Sequence, residues 1–78
     1  MSVVVKLSPI LQKYVQDYEQ EEGVQIQRHG ISIHQLIEEL SIPPKMVSSV
    51  IVNYYPKKKN YIVQEGDQVF FSMVIGGG

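Results

Sequence analysis

A chain of 78 residues with 44% apolar and 19% charged side chains has the composition of one small globular domain and not that of a disordered segment. Seven basic against eight acidic residues leave a net charge of −1, which gives no general attraction to a phosphate backbone or an anionic membrane surface. The absence of cysteine excludes disulfides and thiolate-bound metal as staples, so the core itself must hold the fold.

Val3, Val4, Val5 and Leu7 form a β-branched run that reads as the first strand, placed centrally because consecutive positions are apolar. The run is too short for a signal peptide and lacks a basic segment before it, and no window reaches transmembrane length, so a cytoplasmic protein is expected. Ser8-Pro9 ends the strand. With Ser8 as cap and proline in the first turn, a short helix is expected from Ser8 to about Val15, with Ile10, Leu11, Tyr14 and Val15 as its apolar positions and Tyr18 as an extension. The polar, acidic stretch from Gln16 to Gly23 is a solvated connection. Val24-Gln25-Ile26-Gln27-Arg28 then alternates with period two, predicting a half-buried strand with Val24 and Ile26 inward and a turn at His29-Gly30.

Ser32 is a helix cap with Gln35 as its capping-box partner, and Ile31 is placed to act as a hydrophobic staple on Leu36. Ile33, Leu36, Ile37 and Leu40 recur at i, i+3, i+4 and i+7, one face of an amphipathic helix laid over the sheet. Ile42-Pro43-Pro44 ends it, with one further turn expected near Pro44 to Ser48. Ser49 to Asn53 is the third strand. Pro56 donates no ladder hydrogen bond, so the segment from Tyr54 to Asn60 is either a loop or a short edge pairing; Tyr61-Ile62-Val63 follows. Gln64-Glu65-Gly66-Asp67 is a tight turn with glycine at a positive φ, delivering the chain into a last strand from Val69 to about Ile75. Alternation points Val69 and Phe71 into the core and Phe70, Ser72 and Val74 the other way, and an exposed Phe70 hints at an interaction surface. The first and last runs are the most apolar. The expected fold is therefore α+β: a mixed sheet with one principal helix packed across it and the first and last strands paired in its middle, as in a β-grasp, over residues 1–75, with a flexible glycine tail at 76–78.

Chemistry within the domain is sparse. His29 and His34 have no second histidine at metal-ligand spacing, and no nucleophile sits beside a base, so neither a metal site nor a hydrolytic constellation is expected. Glu19 to Glu22 and Glu38-Glu39 read as solvated faces. Lys57-Lys58-Lys59 beside Tyr54, Tyr55 and Tyr61 is the one patch with basic and stacking side chains of a nucleic-acid platform. A soluble hairpin that blunts a sheet edge with lysine and proline is the favoured account, and no nucleic-acid partner is expected. Gly76-Gly77-Gly78 is different. Glycines without Cβ atoms fit a narrow slot, and three extended residues reach at most ~10 Å, enough to present the carboxylate of Gly78 to another protein.

In the helix from Ser32 to Leu40 followed by Ile42-Pro43-Pro44, the strand ending Val52-Asn53, the Gly66-Asp67 turn before Val69, and the terminal Gly77-Gly78, the chain resembles the ubiquitin-like β-grasp sulfur carriers. That family includes the small subunit of molybdopterin synthase and the sulfur carrier of thiamine-thiazole biosynthesis. The resemblance implies a protein substrate and not an enzyme: an E1-like adenylating partner uses ATP and Mg²⁺ to activate the carboxylate of Gly78, and sulfur then replaces the adenylate to leave a thiocarboxylate. Gly76 and Gly77 would be the stalk, and Phe70, Ser72 and Val74 would face the partner. No cofactor or metal is expected in the chain itself. The helix after the first strand and the acidic connection look more like the molybdopterin synthase subunit, whose sulfur-accepting partner is the large synthase subunit; a thiazole synthase or protein lysines are the alternative acceptors. Ser72, Met73 and Val74 stand where molybdopterin-type tails carry an aromatic and a Pro-Pro pair, and Tyr54 stands where family members often carry glycine.

Overall fold

A computed structural model describes residues 2–73. The elements run β1 (Val3–Leu7), α1 (Pro9–Gln12), β2 (Val24–Ile26), α2 (Ile33–Glu39), a 3₁₀ turn (Pro44–Met46), β3 (Ser49–Val52), β4 (Tyr55–Pro56) and β5 (Gln68–Ser72). The five strands form one mixed sheet in the order β2-β1-β5-β3-β4. β1 and β5 are parallel, pairing Val5 with Val69 and Leu7 with Phe71. The other pairings are antiparallel. Parallel neighbours require a crossover, and the chain between β1 and β5 supplies it, carrying α2 as the principal helix.

Strand alternation sends Val3, Val5, Leu7, Val50, Val52, Val69 and Phe71 to one face, where they are buried with Ile33, Leu36 and Ile37 of α2. Leu11, Ile42, Val47 and Val63 close the margins of this core. The capping box at the start of α2 forms as expected, with Gln35 N–H donating to Ser32 Oγ at 3.1 Å and Ser32 N–H donating to Gln35 Oε1 at 2.9 Å. Among the described residues no helix lies on the sheet's other face, so β1 is central but covered on one side only: Val4 remains half-buried and Lys6 exposed.

The first helix is shorter than the expected Ser8–Val15. After Gln12 the chain continues in turns, with Tyr14 N–H bonded to Leu11 O and Val15 N–H to Gln12 O, and Asp17 at φ 58° ends any helical continuation. Ser8 occupies the cap position but its hydroxyl makes no capping bond. Tyr18 packs against the core with Ile10, Tyr14 and Val15, as expected of it, and its hydroxyl also accepts a 2.9 Å hydrogen bond from Leu7 N–H. β2 stops at Ile26, and Arg28 leaves the ladder to pair with Glu39. The segment after Asn53 resolves as the edge pairing, two residues long.

Candidate functional site

The strand that leads to the glycine tail is the best-supported strand of the sheet. β5 is flanked by β1 on one side and β3 on the other, with Val69 and Phe71 fully buried. Its far end is tied from both sides: Ser8 N–H donates to Phe71 O and Ser48 N–H donates to Ser72 O, each at 3.0 Å. Met73, the last described residue, still packs against the core. A chain held by neighbours on both edges cannot shift register without losing two ladders at once.

The near end of β5 is fixed by a buried carboxylate. Asp67 is 6% exposed; its Oδ2 accepts from Tyr61 O–H and from Gln64 N–H, both at 2.8 Å, and its Oδ1 accepts from Asn53 Nδ2 at 2.9 Å. Burial pushes its pKa up, but these three donors and the positive charge of Lys57 outweigh that and hold the carboxyl below its ordinary value. The same hydrogen bond, followed by burial and the carboxylate's charge, raises the pKa of Tyr61. Asn53 completes the clamp: its N–H donates to Gln68 O at 2.8 Å and its Oδ1 accepts from Gln68 N–H at 3.0 Å. The Gly66 position of this turn has φ 86°, as the sequence requires of it.

Of the residues expected to meet a partner, Phe70 and Ser72 lie within the described structure. Phe70 points away from the core as alternation predicts and remains 37% exposed. It sits between Lys6 of β1 and Ile51 of β3 in cross-strand register. Ser72 is half-buried. Val74, Gly76, Gly77 and Gly78, and with them the expected strand end at Ile75 and the tail, lie outside the described residues.

Phe70 does not stand alone. Val4, Lys6, Ile51, Asn53, Tyr54 and Gln68 join it around a shallow groove of about 220 Å³ on the uncovered face. Strand alternation could have placed Val4, Lys6 and Ile51 on that face, but Tyr54 belongs to a turn and carries no periodic signal. The Asp67 clamp is likewise absent from the local pattern, in which Asn53 ends a strand, Tyr61 flanks the lysine patch and Asp67 closes a turn, with nothing to tie the three together.

Several other residues singled out in the sequence have neighbours within the described chain. His34 lies 4.0 Å from Glu38 one helical turn on, and no group of three His, Asp or Glu among the described residues is placed to hold a metal ion. Lys57 sits over the Tyr61 ring at 5.2 Å, and Lys59 donates to Pro44 O at 3.0 Å, so two of the three lysines are engaged with their own chain. No helix among the described residues is long and apolar enough to cross a membrane.

No family model and no curated protein matches the chain. A solved structure does: the solution structure of Urm1 from Trypanosoma brucei is similar with a TM-score of 0.70 at 16% identity, over 99% of this chain and 95% of that one. At that identity the likeness establishes the fold, an α+β β-grasp of the ubiquitin-like kind.

Proposed function

We propose that the chain is a ubiquitin-like sulfur carrier, a protein substrate whose Gly78 carboxylate is adenylated by an E1-like partner and converted to a thiocarboxylate. The observation that carries this proposal is the placement of β5: the strand leading to Gly76-Gly77-Gly78 lies in the middle of the sheet with both edges bonded. A glycine tail on such a base has a fixed point of departure. The whole-chain likeness to Urm1 supports the ubiquitin-like part of the proposal.

The chemistry belongs to the partner. A carboxylate resists nucleophiles because it is anionic; attack of its oxygen on the α-phosphorus of ATP expels pyrophosphate and gives a mixed anhydride. A sulfide equivalent supplied by the partner then adds to the acyl carbon and AMP leaves, placing sulfur on Gly78. This chain contributes the slender tail of Gly76 and Gly77, where a Cβ would restrict φ/ψ and widen the stalk, and a surface for docking that includes Phe70, Ser72 and Val74. We take the large subunit of molybdopterin synthase as the first acceptor, with a thiazole synthase as the alternative.

The second proposal is a modifier joined through Gly78 to lysines of other proteins, with which the whole-chain β-grasp likeness to Urm1 is equally compatible. Intact-mass spectrometry after incubation with the cognate activating enzyme, ATP, Mg²⁺ and a sulfur source tests the carrier proposal. The expected gain is that of one oxygen-to-sulfur exchange at Gly78, and no gain with the authentic activator refutes it. Higher-mass conjugates in cells that vanish when Gly78 is deleted would assign the modifier role.

A further inference from the structure

The charges of this domain are sorted by sheet edge. β2 and β4 are the two outer strands. The chain enters β2 from the connection that carries Asp17, Glu19, Glu21 and Glu22, all exposed, and no lysine or arginine occurs from Tyr14 to Gln27. Beyond β4 come Lys57, Lys58 and Lys59, and the Lys59 ammonium donates to Pro44 O at 3.0 Å, which brings Lys45 alongside. No carboxylate occurs between Glu39 and Glu65. Lys13 and Lys6 border the acidic connection, a Cβ on Gly23 meeting the Lys6 side chain at 3.0 Å, and the buried Asp67 faces Lys57. An excess of each sign remains on its own edge. Among the described residues, none of these four lysines and none of the four carboxylates is in an ion pair.

The two groups also stand at one level of the sheet. Val24 pairs with Val5 in the antiparallel β1–β2 ladder, so Glu22 comes level with Leu7. Leu7 pairs with Phe71, Phe71 pairs with Val50, and Lys57 N–H donates to Val50 O at 3.0 Å. A line taken straight across the strands from Glu22 therefore ends at Lys57. Four spacings of ~4.8 Å put about 19 Å between the edge strands, more than twice the Debye length of ~8 Å at physiological ionic strength, so the two groups do little to neutralise each other within one molecule. A second molecule displaced along the same line brings its acidic connection onto the lysines with no shift along the strands. Backbone pairing does not carry this contact: Lys57 N–H is bonded inward, and the outward position is Pro56, opposite Ile51, which has no N–H to give. Side chains carry it instead. Tyr55, paired with the buried Val52 and so on the helix side of the edge, is 70% exposed and supplies apolar area next to Lys57.

We propose that this chain associates head to tail with further copies of itself, the lysine edge after β4 of one copy receiving the acidic connection before β2 of the next. The two sides of such a contact are different surfaces, and copies related by translation do not close into a ring, so each added copy leaves one lysine edge and one acidic connection open at the ends. Exposed ion pairs are individually weak. The association is accordingly transient and governed by salt. The uncovered face of the sheet takes no part in it, and the inference does not need the chemistry at Gly78.

Amide chemical shifts of the full chain, followed as the protein is concentrated toward about 1 mM, test it. Glu21, Glu22, Lys57 and Lys58 should shift together with one apparent constant. That constant should weaken by about tenfold between about 0.15 M and about 1 M salt, over which the Debye length falls from ~8 to ~3 Å. Lys45→Glu with Lys58→Glu, or Glu21→Lys with Glu22→Lys, sets like charges against each other and should weaken the association by about tenfold or more. All four substitutions in one chain keep the parent's net charge and invert both edges, so the association should return to within about threefold of the parent's. All four positions are exposed, and an unchanged melting temperature separates loss of contact from loss of fold. Shifts at one of the two groups alone, shifts centred on Ile51 and Phe70, a constant indifferent to salt, or a four-substitution chain as weak as the double variants would overturn the proposal. So would shifts that stay fixed on concentration, which would leave the lysine edge to a different acidic partner. Because no activating enzyme is used, none of these results depends on whether Gly78 accepts sulfur.

Discussion

Replacing Asp67 with asparagine keeps the size of the side chain and removes its charge, which makes it a direct measure of what the clamp beneath β5 contributes. Three donors converge on the carboxylate, two on Oδ2 and one on Oδ1. An asparagine has one acceptor oxygen. Facing it toward Tyr61 and Gln64 sets its amide group against the Asn53 amide, and the opposite orientation loses two bonds. In the better orientation one charge-assisted bond, worth about 1.5–3 kcal/mol, is lost, and the two that remain weaken toward the neutral value of about 0.5–1.5 kcal/mol. Allowing for relaxation, the expected loss at pH 7 is about 2–3 kcal/mol, or roughly 10–20 °C in melting temperature for a domain of this size. Because the folded carboxyl is held below its ordinary value, its stabilisation is complete above the unfolded pKa of about 4. It is lost as pH falls through the folded pKa. Urea unfolding of parent and Asp67→Asn from pH 7 downward should therefore show a gap that narrows below about pH 4. A gap under about 0.5 kcal/mol at pH 7, within ordinary surface scatter, or a gap that stays constant to the lowest pH, would refute the account.

Two glycines with the same backbone requirement separate conformational strain from crowding. Gly23 at φ 69° and Gly30 at φ 79° both occupy the left-handed region, but a Cβ on Gly23 would lie 2.4 Å from Val5 O in the central strand, whereas one on Gly30 meets nothing within 4 Å. Gly30→Ala should cost only the conformational penalty of roughly 1 kcal/mol; Gly23→Ala should cost clearly more and disturb amide shifts along β1, and equal losses in thermal unfolding would show that the crowding is relieved freely. Ser32→Ala removes the capping bond to Gln35 N–H and should cost about 1 kcal/mol by denaturant titration, with Gln35 losing its protection from hydrogen exchange; full retention of that protection would contradict the role given to the cap.

The helix over the sheet was legible because two local signals coincide in it. The Ile33, Leu36, Ile37 spacing writes the buried face, and Ser32 with Gln35 writes the start, so neither depends on distant residues. The first helix also had a start signal in Ser8-Pro9, but the Ser8 hydroxyl makes no capping bond and its extent rested on the apolar spacing alone. Its apolar positions are real core contacts, but Tyr14 and Val15 reach them through i→i+3 turns, and periodicity over so few residues cannot separate that path from an α-helix. The extent of β2 fails for a related reason: Gln27-Arg28 continues the alternation, yet the ion pair of Arg28 with Glu39 lies across the fold from it, and such a partner is invisible in local pattern. The central pairing of β1 with β5 was legible only as an inference from their shared apolar character. The parallel sense, which places Phe70 between Lys6 and Ile51, came with the structure.

The open face illustrates why a site can be partly written in sequence. Alternation alone exposes Phe70, and its neighbours across the strands follow once the register is known. The turn that brings Tyr54 to the rim is a different matter, because it is fixed by residues 14 positions apart, Asn53 and Asp67. Those residues read locally as a turn former and the last position of a Gly-containing turn. Their joint effect is to lock the entry of β5 and the β3–β4 hairpin to each other. One buried carboxylate thus steadies both the strand that leads toward Gly78 and the turn that carries Tyr54. A substitution that loosens the clamp is therefore expected to move amide shifts at the entry of β5 and in the β3–β4 turn together, and a change confined to one of them would contradict the coupling.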